Sequence, residues 1–224
     1  MIKLNAKAKS ILVQASFMDA GDEFATAKLM EASTITTASA RTVLFRESDQ
    51  AEHFYCVLNG YVRLYRLNKD CREADVRICG PGDTFNDCLI FGADRYHYHA
   101  QATENCTFAR FELSRLRSMI EDDPKIAKTL MQCLSRSLVT TLDCVANDRL
   151  QTAPQRVANY LVMQCPSDAA SYSLRLPFQK SVLAGKLGLA PEALSRAFSS
   201  LRDAGVIVCG RVIKVNDVAA LKQF

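Results

Sequence analysis

Long apolar runs and export signals are missing from this 224-residue chain, which argues against a membrane-spanning or exported protein. No uninterrupted apolar run approaches the roughly 20 residues that a helix needs to cross a bilayer. The first ten residues, MIKLNAKAKS, contain lysines but are not followed by an apolar segment or a small-residue cleavage site. We therefore expect a cytoplasmic protein without a membrane partner.

Metal-binding cysteine spacings are also missing. The chain has nine cysteines, but it contains no Cys-x-x-Cys pair and no cysteine before Cys56. The usual zinc and N-terminal iron–sulfur spacings are therefore excluded, and we assign no metal site. Scattered cysteines in a chain of this size, without an export signal, are expected to be reduced core residues. One redox-active thiol remains an open alternative.

Histidine is scarce, since only His53, His97 and His99 could supply an imidazole. No nucleophile, base and orienting group stand in a recognisable arrangement. We therefore expect no enzyme, although turnover of any substrate would revive the alternative of a thiol enzyme.

The charge is distributed unevenly along the chain. Residues 1–149 contain 19 basic and 20 acidic side chains, whereas residues 150–224 contain nine basic and four acidic ones, a net charge of +5. This asymmetry is typical of a polyanion-binding domain that follows a separate sensing or assembly domain. The alternative is a chance imbalance on a solvated surface.

Short β-rich runs dominate the region from Arg41 to Phe111. Runs such as TVLF and FYCVL alternate with turn clusters, among them Asn59-Gly60 and Gly80-Pro81-Gly82-Asp83. This spacing predicts an antiparallel barrel or jelly roll. A short helix from Gly21 to Glu31, capped near Asp22, is predicted before it.

One long amphipathic helix of about 25 residues is predicted after the acidic residues 121–123 and Pro124. Its stripe consists of Ile126, Leu130, Leu134, Leu138, Thr141 and Val145. Such a helix either packs across its own barrel or pairs with a second copy, and a spacing close to four allows both. We expect a homodimer.

The last third of the chain has the helix stop and start signals of a helix-turn-helix. A helix over Gln179–Leu187 is interrupted by Gly188, and Pro191 begins a second helix that we extend to Asp203. Its apolar positions fall on one face, namely Leu194, Ala197, Phe198 and Leu201. Its polar positions point outward, namely Glu192, Ser195, Arg196 and Ser199.

The outward face has the chemistry of base recognition. Arginine can bind guanine O6 and N7, glutamate can accept from cytosine N4, and recognition helices read bases with their N-terminal residues. We therefore expect Glu192, Ser195 and Arg196 to contact bases. The alternative is a solvated helix with an ion pair between Glu192 and Arg196.

A hairpin is predicted directly after this helix. The runs Val206–Cys209 and Val212–Val215 flank Gly210-Arg211, as in the wing of a winged helix. Cations and hydroxyls near the helix ends and the wing are expected to contact DNA phosphates. These residues are Lys180, Ser199, Arg211 and Lys214.

The order and spacing of FYCVLNGYVRLYRL, GPGDTF and LAGKLGLAPEALSRAFSSLRDAGVI resemble the Crp/Fnr superfamily of bacterial transcription regulators. The resemblance covers nearly the whole chain. It implies an α+β fold with an N-terminal cyclic-nucleotide-binding-like β jelly roll (1–120), a long dimerisation helix (121–150) and a C-terminal winged helix-turn-helix DNA-binding domain (151–224). Double-stranded DNA and RNA polymerase are the implied partners. The E-x-x-S-R of the second helix is similar to Fnr-type readers of TTGAT half-sites, which implies a TTGAT-N4-ATCAA-like palindrome.

The sensory residues depart from the family's cyclic-nucleotide binders. Those members have Gly-Glu and Arg-Ser pairs where this chain has Asn86-Asp87 and Tyr96-His97, so cyclic AMP is disfavoured. An Fnr-type iron–sulfur cluster is disfavoured because the N-terminal cysteines are missing. We expect the effector pocket to include Asn86, Asp87, Tyr96 and Tyr98.

The stretches TF…FARF and LAG.L…PE..SR are most similar to the Dnr/NnrR-like nitric-oxide-responsive regulators of denitrification, a subgroup linked to haem. The resemblance implies nitric oxide, oxygen or redox state as the signal, with haem as a possible cofactor. Strand alternation in YHYHAQA places Tyr96 and Tyr98 inward and His97 and His99 toward solvent. The alternative function is a ligand-binding regulatory module whose C-terminal domain docks a protein partner.

Overall fold

The chain divides into two compact units in a computed structural model that describes residues 10–12, 23–92, 94–167 and 169–224. The first unit is Met1–Thr141 and the second is Leu142–Phe224, so the boundary falls inside the long helix. None of the described helices combines the length and the hydrophobicity that crossing a membrane requires.

Eight strands of the first unit form two antiparallel four-stranded sheets. The strands are β1 (Ser33–Ala38), β2 (Val43–Phe45), β3 (His53–Asn59), β4 (Val62–Leu67), β5 (Glu73–Cys79), β6 (Thr84–Phe85), β7 (His99–Ala102) and β8 (Cys106–Glu112). The sheet orders are β1-β8-β3-β6 and β2-β7-β4-β5. This connectivity is that of a jelly roll, which confirms the predicted fold.

Strand β1 begins earlier than the sequence pattern predicted. Its residues, STITTA, show no apolar alternation, and every one of them is exposed or only half-buried. The strand lies at the edge of its sheet and pairs with β8 alone. Helix α1 (Glu23–Ala32) precedes it, close to the predicted helix, whereas the predicted cap at Asp22 lies outside the described residues.

Aromatic rings fill the space between the two sheets. Phe45 of β2 stacks on Tyr96 at 3.7 Å between ring centroids, and Tyr55 of β3 stacks on Phe85 of β6 at 4.9 Å. Phe108 meets both Tyr55 and Phe85 edge-on. Each such pair contributes roughly 0.5–1.5 kcal/mol beyond the burial of its area.

Helix α2 (Leu113–Asp122) belongs to the first unit. Helix α3 (Pro124–Leu150) begins in the first unit and ends in the second. Ile126 and Leu130 of α3 are buried in the core of the jelly roll. At this end of the stripe the helix packs across its own barrel, which is one of the two predicted arrangements. Leu134 is half-buried, and Leu138 is 60% exposed.

The second unit contains four further helices and a three-stranded sheet. The elements are α4 (Ala153–Met163), β9 (Tyr172–Arg175), α5 (Lys180–Lys186), α6 (Pro191–Ser200), β10 (Val206–Cys209), β11 (Val212–Val215) and α7 (Val218–Lys222). The sheet order is β10-β11-β9. Helix α6 ends at Ser200 rather than at Asp203, because the amides of Arg202 and Gly205 bond to carbonyls three residues back and form turns.

Candidate nucleic-acid interface and sensor pocket

The turn between α5 and α6 fixes the direction of the second helix. Gly188 adopts a left-handed conformation (φ 62°), and its amide donates to the Gly185 carbonyl at 3.2 Å. The Leu189 amide donates to the Ala184 carbonyl at 2.9 Å, which completes a Schellman-type helix end. Pro191 then occupies the first turn of α6, where a missing amide hydrogen has no cost.

Helix α6 separates a buried face from an exposed one as predicted. Leu194, Ala197 and Phe198 are buried. The four outward residues Glu192, Ser195, Arg196 and Ser199 are exposed. In the part of the chain that the structure describes, no ion pair joins Glu192 to Arg196, so the ion-paired alternative is not seen.

The wing is a two-residue hairpin. Cys209 pairs with Val212, and Gly210 (φ 60°) supplies the positive φ that the tight turn requires. Arg211 at the tip and Lys214 on β11 are exposed. The wing is therefore a second element of this unit, besides α6, that exposes cationic side chains.

Several cations of the second unit are not neutralised by the residues that the structure describes. These cations are Lys180, Arg196, Arg202, Arg211 and Lys214. No described carboxylate forms an ion pair with any of the five. A surface with this charge attracts a polyanion.

The predicted effector residues lie in the first unit around the short 3-10 turn Asp87–Leu89. The Asn86 amide donates to the Tyr98 hydroxyl at 3.1 Å, and its side-chain nitrogen donates to the His53 carbonyl at 3.4 Å. Oδ1 of Asp87 accepts from the Cys88 amide at 3.1 Å. Oδ2 of Asp87 is buried and has no hydrogen-bond partner among the described residues. Such an atom is stabilised by any ligand that supplies a donor.

Tyr96 belongs to the aromatic cluster between the sheets. Its ring stacks on Phe45, and its hydroxyl accepts from the backbone amides of Glu52 and His53, both at 3.3 Å. Burial raises the pKa of Tyr98 far above its ordinary value. That phenol is therefore protonated at physiological pH. The Arg77 guanidinium interacts electrostatically with the Asp87 carboxylate, whose Oδ2 still has no hydrogen-bond partner among the described residues.

Two of the three histidines make no contact with the predicted effector residues among the interactions described. His97 is exposed. Nδ1 of His99 accepts from the Glu47 amide at 3.3 Å, and the ring stacks on Tyr65 at 5.0 Å. Along β7 the burial alternates, with Ala100 and Ala102 buried, as the strand pattern predicted.

His53 is the histidine next to the aromatic cluster. Its side chain is 19% exposed, and its ring lies 6.1 Å from Tyr55. Burial lowers the pKa of His53, and the nearby Arg110 guanidinium lowers it further. The imidazole is therefore neutral near pH 7, and its Nδ1 lies 3.8 Å from Glu52 Oε2.

The buried cysteines have the chemistry of core residues. All nine cysteines are free. Burial raises the pKa of the Cys56 and Cys106 thiols, and raises that of Cys133 to about 12. These thiols stay protonated and are poor nucleophiles. No group of three or more metal-ligating side chains occurs among the residues with described positions.

Comparison with known proteins identifies the family. The cyclic nucleotide-binding domain matches residues 35–123, and the Crp-like helix-turn-helix domain matches residues 155–224. The chain belongs to the Crp/Fnr family of transcription regulators. The matched domains and the relatives are those of transcription regulators and not of enzymes, as predicted.

Relatives of this Crp/Fnr regulator match most of its length. The nitrogen fixation regulation protein FixK of Bradyrhizobium diazoefficiens is 29% identical over 75% of this chain and 72% of its own. A candidate cyclic-nucleotide-binding protein from Ruegeria pomeroyi is 27% identical, with a TM-score of 0.72 over 98% of both chains. DNR from Pseudomonas aeruginosa is 24% identical over 100% of both chains, with a TM-score of 0.54, and at this identity it shows the fold alone.

One arginine of this regulator connects the end of α3 to the helix-turn-helix. Arg156 of α4 forms an ion pair with Asp148 in the last turns of α3. The same guanidinium donates to the carbonyls of Leu187 at 3.0 Å and Gly188 at 3.4 Å, in the turn between α5 and α6. We name this set of contacts the Arg156 clasp. Sequence patterns do not reveal it because its four members are dispersed along the chain.

Proposed function

We propose that this Crp/Fnr regulator binds a TTGAT-N4-ATCAA-like palindrome as a homodimer and reads each half-site with α6. The observation that carries the proposal is that Glu192 and Arg196 are both exposed in the first two turns of α6, and that no ion pair joins them in the described part of the chain. A recognition helix presents base contacts at this end.

Each outward side chain of α6 has a separate role. Arg196 binds the guanine of the half-site through O6 and N7, and Glu192 accepts from a cytosine N4. Ser195 contacts a base. Ser199 contacts a phosphate when its hydroxyl exchanges the bond that it donates to the Ser195 carbonyl, at 3.1 Å, for one to a phosphate oxygen. Lys180, Arg211 and Lys214 bind phosphates and position the domain without specifying the sequence.

Arg196→Ala tests the base contact. We expect it to weaken operator binding by about 1–3 kcal/mol and to relax the preference at the guanine, whereas Lys180→Ala weakens binding to all sequences alike. Fluorescence anisotropy with the palindrome, with guanine-substituted variants and with random duplex measures both effects.

The two variants serve as controls for each other because each removes one cation from the same unit. Equal losses on specific and random DNA for Arg196→Ala would remove the base contact. Failure of the wild type to bind any duplex in a salt-dependent way would favour docking of a protein partner.

The dimer is proposed from the exposed stripe of α3. Leu138 and Val145 are 60% and 43% exposed in one copy, and Thr141 is exposed between them. A two-fold axis along this stripe matches a palindrome whose half-sites lie one helical turn apart. RNA polymerase is the proposed protein partner of the DNA-bound dimer.

We propose nitric oxide, oxygen or redox state as the signal, with haem as the cofactor and His53 as its ligand. The neutral, half-buried imidazole of His53 fits the donor that a haem iron takes. Glu52 Oε2 lies 3.8 Å from Nδ1, so a small side-chain movement would allow it to accept from the ring and orient it. Haem would supply an iron centre that binds nitric oxide. The Asp87 carboxylate repels a phosphate and argues against cyclic AMP, and the Arg77 guanidinium offsets only part of its charge.

A ligand in this pocket is close enough to α3 to change its environment. Thr84 of β6 lies 3.9 Å from the Cys133 thiol of α3, and the Asp87 carboxylate interacts electrostatically with the same thiol. A signal can favour one arrangement of α3 only by binding it better than the other.

Haem titration of the apo-protein tests the signal. We expect a saturable Soret band that shifts or disappears in His53→Ala, because the neutral imidazole is lost, and that is unchanged in His97→Ala and His99→Ala. Absence of a saturable band in the wild type would end the haem proposal, and a band unchanged in all three variants would remove His53 as the ligand.

A further inference from the structure

A cavity of about 330 Å³ opens on the second unit beside the recognition helix. It is lined by the start of α5, by one side of α6 and its C-terminal extension, and by strand β10. Ser195, Ser199 and Arg202 form a column along that side, because they follow one another at intervals of four and three residues. The cavity therefore begins at Ser195, a predicted base contact, and continues to Arg202, beyond the end of α6.

The floor and the rim of this cavity differ in chemistry. Leu194, Phe198 and Val206, which are buried, contribute apolar surface to the floor. Lys180 and Arg202 contribute two cations to the rim, and no acidic residue lines it. Within residues 142–167 and 169–224, neither cation is paired with a carboxylate.

Hydrogen-bond donors are also available at the rim. The hydroxyls of Ser181 and Ser195 line the cavity and make no hydrogen bond within the described part of this unit. A guanidinium binds phosphate oxygens through parallel N–H groups, and hydroxyls add single bonds. The rim thus offers several donors to one tetrahedral anion.

We propose that this cavity seats the sugar–phosphate backbone of one DNA strand in each half-site, with Arg202 holding a phosphate together with Lys180. The proposal rests on the proposed function and adds a binding site to it. A deoxyribose has apolar carbons that fit the floor, and the adjoining phosphodiester has one negative charge that fits the rim. We choose DNA as the occupant because the cavity begins at Ser195, which is a proposed base contact. The backbone of the strand whose bases are read would therefore lie beside the cavity.

Arg202 has no signature in the sequence. It follows the predicted reading end by six positions and precedes Asp203, so it resembles a solvated cation beside an acid. In the structure Asp203 does not line the cavity, whereas Arg202 does.

Arg202→Ala tests the proposal in the full-length protein. We expect roughly tenfold weaker binding per half-site, to operator and random duplex alike, because a charge-assisted hydrogen bond is lost in each subunit. We also expect the slope of log K against log salt to fall by about 2, since one phosphate contact disappears in each of the two half-sites. Lys222→Ala, which removes an exposed cation on α7 outside the cavity, should change neither quantity.

Single methylphosphonate substitutions locate the phosphate. Scanning each position of a half-site should reveal a phosphate whose neutralisation weakens the wild type but has no further effect on Arg202→Ala, and Arg202→Lys should restore part of the sensitivity. A scan of Arg202→Ala identical to that of the wild type would overturn the cavity site. If this occurs while Arg196→Ala still loses guanine preference, DNA reading stands and only the cavity site fails; if the wild type binds no duplex, the proposed function fails first.

Discussion

Leu138→Lys is expected to yield monomers that bind the operator roughly 100-fold more weakly than the wild type, because a monomer loses the linkage of two half-site contacts. In a two-fold seam along α3, each lysine would be buried against the partner helix without a counter-charge. Leu138 is 60% exposed within one copy, so the substitution leaves the protomer's own packing intact. Sedimentation velocity measures the oligomeric state, and anisotropy measures the affinity.

The matched control is Thr140→Lys, which adds the same charge two residues away on the opposite side of α3, where the side chain is also exposed. It should remain dimeric. A dimeric Leu138→Lys protein would place the seam elsewhere. Leu134 is a weaker choice for this experiment, because it is half-buried and a charge there would also disturb the jelly roll.

Gly60→Ala is expected to destabilise the first unit by roughly 2–4 kcal/mol. Gly60 connects β3 to β4 with φ 80°, a conformation that side chains with a Cβ rarely adopt. A Cβ at this position would lie 2.7 Å from the Asn105 carbonyl oxygen and 2.7 Å from Cys106 Sγ. The carbonyl belongs to the backbone, so relief of the clash requires movement of the chain beside β8. Urea unfolding followed by near-ultraviolet circular dichroism of the tyrosines measures the loss.

Gly82→Ala separates the two causes of this loss. Gly82 has a similar φ of 89°, but a Cβ there would have nothing within 4 Å. Only the conformational strain remains, roughly 1 kcal/mol. Equal losses in the two variants would contradict the role of the close contact with Asn105.

The sequence predicts the parts of the fold that local patterns encode. The apolar runs between Val43 and Phe111 and the glycine turns between them determine the jelly roll, and Gly188 with Pro191 determines the helix-turn-helix. Strand β1 is different, because its threonines and serine acquire strand geometry only by pairing with β8.

The candidate sites divide in the same way. The exposed face of α6 follows from helical spacing alone, so Glu192 and Arg196 are predictable from the sequence. The bare oxygen of Asp87 and the cavity beside Arg202 depend on which distant elements converge. The stripe of α3 shows that an apolar pattern does not reveal what it packs against. Ile126 and Leu130 at one end are buried in the protomer's core, whereas Leu138 further along is exposed.

The Arg156 clasp determines where this regulator can bend. Because Asp148 at the end of α3 is joined through Arg156 to the carbonyls of Leu187 and Gly188, the last turns of the long helix move as one piece with the DNA reader. The connection at residues 151–152 is therefore not a free joint, although it is where the helices are interrupted. Bending at residues 151–152 would have to break the bonds that Arg156 makes to both sides of the connection. The stiffness of this joint within the second unit therefore depends on a single side chain.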